Sequence, residues 1–208
     1  MSDFIYVVLC RRARFAIAML LIALAGCGSV PAEYFYTMSA TALAATAPAG
    51  ATNWDAGITV EVATIPESVD RPQLVISAGE NQVVILEQQR WAEPLKGQIA
   101  RTVAVNLSRL IGAARVSAYP HAADTDAMFR ITLDVQRFEA RRGDAVAVEV
   151  LWTIRGADGP ALASGRTVAR ETIGAEGYDE LVGAHSRAFG AVSRDIAAAL
   201  QSASVQRR

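Results

Sequence analysis

The chain is poor in the residues that build reactive or metal centres. Its 208 residues include two cysteines, two histidines and a single lysine, Lys96, every other basic residue being arginine. A structural zinc site takes four Cys or His ligands, so it would need all four of these side chains together. There is no G-x-S-x-G elbow, no Walker G-x-x-x-x-G-K-[ST] loop and no H-E-x-x-H pair. The expectation is no catalytic residue, no metal and no cofactor; an ATPase, if one is involved, is another polypeptide. Net charge is also lacking, at −1 formally with 20% charged residues. That balance excludes the clustered cations a nucleic-acid binder uses against phosphates. A hydrophobic fraction of 52% excludes a disordered chain.

No apolar run reaches the ~20 residues of a membrane-spanning helix. A shorter one does stand out. Arg11, Arg12 and Arg14 form a basic cluster, and Phe15 to Ala25 then runs 11 residues without a charge. That length suits a signal-peptide core of ~7–15 residues. The run closes in Leu24-Ala25-Gly26-Cys27, which resembles the bacterial lipobox. In that motif the peptide is cut before the cysteine and the thiol is acylated. The expected organisation is therefore a cleaved signal over 1–26, a short lipidated tether over 27–32 and one domain over 33–208. Cys10 leaves with the signal and Cys27 carries lipid, so no thiol remains for a disulfide. The Cys27→Ser variant is expected to lose all fatty-acid label when cells are fed a radioactive fatty acid; undiminished label contradicts the lipobox reading.

The body alternates between two periods. Glu33 to Met38, aromatic and β-prone, predicts a first strand. Residues 39–52, mostly Ala and Thr with Pro48 and Gly50, predict a loop. Ile58, Val60 and Val62 alternate as in a half-buried strand. Asp70-Arg71-Pro72 predicts a turn, because proline turns the preceding residue away from helix. Leu74–Ile76 and Val83–Leu86 flank Gly79-Glu80-Asn81-Gln82 as a hairpin. From Glu93 the period lengthens: Leu95, Ile99, Val103, Leu107, Leu110 and Ile111 form one helical stripe, with Pro94 at its start and Gly112 at its end. Phe129 to Val135 and Val146 to Ile154 alternate about Arg142-Gly143-Asp144, a long hairpin. A further strand follows Gly159-Pro160. Tyr178, Leu181, Val182, His185, Phe189, Val192, Ile196 and Leu200 predict a second amphipathic helix. The predicted fold is α+β: a single two-layer domain, a mostly antiparallel sheet with two amphipathic helices on one face.

Several blocks, taken together, match a known pattern. They are the lipobox, Tyr34-Phe35-Tyr36-Thr37, Asp70-Arg71-Pro72-Gln73-Leu74-Val75, Arg90-Trp91-Ala92-Glu93-Pro94-Leu95, Asn106-Leu107 and Tyr119-Pro120. In this order they resemble the PqiC/YmbA-type auxiliary lipoproteins of ABC-type transport, over nearly the whole mature chain. The family usually has two adjacent tyrosines followed by Thr-Leu; here Phe35 intervenes and Met38 replaces the leucine, swaps that a packed site tolerates. The resemblance implies an outer-membrane lipoprotein facing the periplasm, whose partner is an MCE-domain protein forming a lipid conduit and whose activity supports membrane integrity. Gly28 follows Cys27 where an aspartate would resemble the inner-membrane retention signal.

The candidate partner-binding residues are Asp70, Arg71, Pro72 and Trp91. Either Asp70 and Arg71 order the turn while Trp91 packs over the helix start, or Arg71 and Trp91 anchor an interface, as Arg and Trp favour. Arg141 and Arg142 form a solvated hairpin tip or a contact for anionic headgroups. His121 is expected in a solvated loop. His185 is expected as a core histidine with its hydrogen bonds satisfied. Asp124 and Asp126 are expected as solvated acids rather than an acid–base pair. The leading reading is a non-enzymatic dock for a lipid conduit, with a cyclic homo-oligomer matching a tubular partner. The alternative is a periplasmic carrier holding lipid or a small molecule between helices and sheet; a cell-envelope hydrolase ranks third. Between Cys27 and Glu33 lie five residues, which reach at most about 17 Å at ~3.3–3.6 Å each. The body is thus expected to lie against the membrane.

Overall fold

Among the described residues, eight strands and two helices follow one another as β1 (Tyr34–Tyr36), β2 (Gly57–Thr64), β3 (Gln73–Ser77), β4 (Val83–Trp91), α1 (Leu95–Ile111), β5 (Val116–Ala118), β6 (Ala127–Ala140), β7 (Ala145–Gly156), β8 (Ala161–Thr172) and α2 (Tyr178–Val205). The computed structural model describes residues 31–41, 57–112, 115–119, 127–156 and 159–205. Glu33–Arg208 form one compact unit. Most of the 39–52 loop, and His121, Asp124 and Asp126, lie outside the described residues.

The larger sheet has the strand order β5-β2-β6-β7-β8. Its β6-β7-β8 half is an antiparallel meander. The β6–β7 turn closes through Gly143 at φ 72°, a left-handed conformation that costs glycine least. Alternation then places Phe129, Ile131, Leu133 and Val135 on the same face as Val148, Val150, Trp152 and Ile154, all buried. Both helices cover this face. α1 packs on β2 and β5, α2 packs on β7 and β8, and the helices pack on each other. The α1 stripe is buried as its spacing predicts. Pro94, at the N-cap position, precedes the helix, and Gly112 ends it in the left-handed region at φ 67°.

Two features correct the sequence reading. The sheet is only partly antiparallel: β2 runs parallel to both neighbours, β5 and β6. Parallel neighbours cannot be joined by a tight turn and need a crossover. Here the crossover from β2 to β5 carries the β3–β4 hairpin and α1. There is also a second, three-stranded sheet of order β1-β4-β3, in which β1 lies parallel to β4. An edge strand of three residues whose partner lies beyond two other strands leaves no local signal of its pairing.

The segment after β1 explains buried polar residues within the helix stripes. Met38 N–H donates to Gln98 Oε1 at 2.9 Å, Ser39 N–H to Ser186 Oγ at 3.2 Å and Thr41 N–H to Asn106 Oδ1 at 3.1 Å. Residues 38–41 thus cross both helices as a strap. Gln98, Asn106 and Ser186 are buried because they satisfy its backbone. Among the described residues no helix is long and apolar enough to cross a membrane.

Candidate functional site

The β3–β4 hairpin brings the Asp70–Val75 and Arg90–Leu95 blocks together. Its strands pair so that Gln73 opposes Arg90, and Trp91 N–H donates to Pro72 O at 2.7 Å. The turn before β3 and the passage from β4 into α1 therefore lie side by side. Between them is a cleft of about 330 Å³ lined by Asp70, Arg71, Pro72, Trp91, Ala92, Glu93, Pro94 and Leu95. All four sequence candidates line it.

Trp91, 5% exposed, forms the cleft's inner wall. Its ring meets Phe138 edge-on, at 6.1 Å between centroids and 72° between planes. Phe138 in turn stacks flat on His185, at 3.9 Å and 8°. The cleft is thus backed by an aromatic column that continues into α2. Such pairs add to the stability their buried area supplies.

The charges at the rim are nearly all spoken for. Asp70 Oδ2 lies 3.0 Å from Lys96 Nζ. Glu93 pairs with Arg101 across the first turn of α1. The Gln98 amide donates to Glu93 O at 2.9 Å, so it ties the strap and the cleft rim together. Arg71 is different. Its backbone N–H donates to Val69 O at 2.9 Å, which orders the turn. Its side chain has no ion pair among the described residues, and its Nε is buried without a hydrogen-bond partner. Leaving a charged donor buried and unpaired costs on the order of 1–3 kcal/mol or more. The cleft therefore offers an uncommitted cation beside an indole wall.

The matching family model spans residues 36–197 and describes the ABC-type transport auxiliary lipoprotein component. The chain belongs to this family. The family model covers every element from the end of β1 to most of α2, so the cleft lies wholly within it. No curated protein matches the sequence as a relative. Two solved structures share the fold. One, an uncharacterised protein, is 19% identical with a TM-score of 0.65, covering 82% of this chain and 99% of its own. The other, from Xanthomonas campestris, is 15% identical with a TM-score of 0.64, covering 84% of this chain and 98% of its own. At these identities the likeness shows the fold alone. As a family member the protein is an auxiliary lipoprotein component of a transport system.

The sequence reading missed the aromatic column and the strap. Neither leaves a local pattern, since each joins elements distant in sequence. His185 is in the core as expected, at 1% exposure. It is not satisfied, however: Nδ1 has no hydrogen-bond partner. Burial lowers its pKa to about 3, so it is neutral at physiological pH. At the hairpin tip, Asp144 lies 2.7 Å from Arg170 and 3.9 Å from Arg141. Arg142 lies over the Tyr178 ring at 5.3 Å. The described residues contain no group of three or more His, Cys, Asp or Glu side chains placed to hold a metal.

Proposed function

We propose that the protein is a non-enzymatic outer-membrane lipoprotein that docks the free end of an MCE-domain lipid conduit, and that the Arg71–Trp91 cleft grips that partner. One observation carries this reading: two of the blocks behind the family resemblance, Asp70–Val75 and Arg90–Leu95, meet at one cleft, whose acids are paired within the chain while Arg71 is not. A guanidinium beside a tryptophan is suited to a protein segment bearing a carboxylate, with the apolar wall supplying affinity and the charge pair supplying register. In the proposed organisation residues 1–26 are removed and 27–32 tether the body. Diacylglycerol and a fatty acyl chain such as palmitate on Cys27 are the only non-protein groups. Gly28 after the lipidated residue favours sorting to the outer membrane. A cyclic homo-oligomer would present the cleft repeatedly to a tubular partner.

The carrier alternative has less in its favour. Val60, Val103 and Leu107 meet Ile131, Val148 and Ile196 between the helices and the sheet, all at 0% exposure. The cleft opens at the start of α1, and a further cavity, of about 330 Å³, opens beside the β3–β4 tip.

A photo-crosslinking residue at the exposed cleft position Ala92 is expected to capture the MCE-domain protein in cells. The same residue at Val168, on the open face of the large sheet, is expected not to. Adding Arg71→Glu should lower capture at Ala92 about tenfold, as loss of ~1.4 kcal/mol would do. Equal capture from both positions, or capture indifferent to Arg71→Glu, contradicts docking at the cleft.

A further inference from the structure

Beside the N-terminus of the body the surface changes character. Tyr34 and Phe35, on edge strand β1, are 56% and 61% exposed. Successive strand residues point to opposite faces, so an apolar ring stands out on each side of this strand. Tyr36 is half-buried; its hydroxyl donates to Gln89 Oε1 at 2.6 Å and its ring meets Tyr178 edge-on at 6.4 Å. Burial, followed by the nearness of Tyr178, Asp179 and Tyr34, raises the pKa of Tyr36. Arg142 lies over the Tyr178 ring and has no ion pair among the described residues. Three of the four tyrosines after Cys27 therefore gather here, with a phenylalanine and an arginine.

Tyrosine is the side chain of a wet–apolar boundary: its ring buries in apolar surroundings while its hydroxyl keeps a polar partner. Aromatic belts at the headgroup level of membrane proteins rest on this property. An arginine at the same level donates in fork geometry to lipid phosphates. The chain itself selects the bilayer over other occupants. Tyr34 is seven residues from Cys27, a reach of at most about 25 Å. A body so short-tethered presents its β1 end to the lipid surface that holds the acyl chains.

We infer that Tyr34, Phe35, Tyr178 and Arg142 form a membrane-contact patch that seats the β1 end of the body in the headgroup layer beside the anchor. This rests on the reading of Cys27 as the lipid attachment. The patch fixes the tilt of the body, so that the acyl anchor becomes one leg of a two-point attachment and the opposite end is held toward the periplasm.

The test uses the full lipidated chain in vesicles of phosphatidylethanolamine and phosphatidylglycerol containing a brominated phospholipid. Tryptophan is introduced as Phe35→Trp or, as a control on the open sheet face, Val168→Trp; Val168 is 57% exposed. Both sites are on the surface, so both variants should fold. After subtraction of the unmodified chain, Phe35→Trp emission is expected to be quenched severalfold more than Val168→Trp emission and to shift to the blue. Equal, weak quenching of the two in a chain that still takes up fatty-acid label overturns the patch and leaves the anchor standing. Absence of that label from the unmodified chain overturns the anchor, and the patch with it.

Discussion

Gly165→Val is expected to cost about 3 kcal/mol of stability, near the upper end for added methyl groups in a packed core. For a chain of this size that lowers the melting temperature by roughly 6–12 °C. Gly165 opposes Trp152 across the β7–β8 ladder, and the indole lies flat over it. A Cβ at this position would overlap Trp152 Cζ2 and stand 2.7 Å from Cη2. The ring is not free to retreat. Trp152 Nε1–H donates to Thr167 Oγ1 at 3.1 Å, and Thr167 Oγ1–H donates to Asp195 Oδ2 at 2.6 Å, which ties the indole to α2. The ring fills the space of the missing side chain, as an aromatic neighbour does for a strand glycine. Urea unfolding of the single variant and of Gly165→Val combined with Trp152→Ala measures the effect. The double variant should cost clearly less than the two single costs added, because residues in contact couple. A single-variant loss under about 1 kcal/mol, or simple additivity, contradicts the account.

The second large effect depends on pH and comes from His185. Its pKa is lowered from 6.5 to about 3 by burial. The folded chain therefore binds fewer protons at this site than the unfolded chain whenever the pH lies between those two values. Stability is fully present above the unfolded value near 6.5 and is lost as pH falls toward the folded value near 3. Between pH 7 and pH 5 the loss from this one group is about 2 kcal/mol, at 1.36 kcal/mol per pKa unit. His185→Leu keeps an apolar contact for Phe138 and removes the proton site. Denaturant titrations at pH 7 and pH 5 should show the unmodified chain losing about 2 kcal/mol more than the variant. Parallel losses in the two proteins contradict a buried neutral histidine.

Local periodicity carried the elements, and pairing between distant segments escaped it. The α1 stripe from Leu95 to Ile111 is buried as spaced, and its stop at Gly112 is the left-handed residue that such helix ends favour. The β6–β7 hairpin was readable because alternation runs on both sides of a glycine turn, with one interruption at the register shift between Val135 and Arg137. The meeting of Arg71 with Trp91 follows from another readable hairpin, β3–β4. What sequence spacing could not show is β2 parallel to β6, or β1 beside β4, because a parallel pair has no turn to announce it. Gln98, Asn106 and Ser186 fall outside the apolar stripes in sequence, yet all three are buried as the acceptors for the strap at residues 38–41. The free Nε of Arg71 and the stack of Phe138 on His185 depend on the joining of separate elements. Residue type marked Arg71 and Trp91 as candidates, and tertiary packing decided what surrounds them.

The parallel seating of β2 also has a kinetic side. The meander β6-β7-β8 and the helix that follows it are joined by short connections, and such local contacts form fast. β2 reaches its place only when β5 and β6 flank it, after α1 has crossed over. Ile58 and Val60 pair with Phe129 and Ile131, about seventy residues later in the chain, and contacts of such long separation form slowly. Completing the large sheet places β2, the first of its five strands in the chain, between β5 and β6, which both come later in sequence. Until β2 is in place, the apolar edge of β6 is open to any other unpaired strand, including one from a second copy still folding nearby.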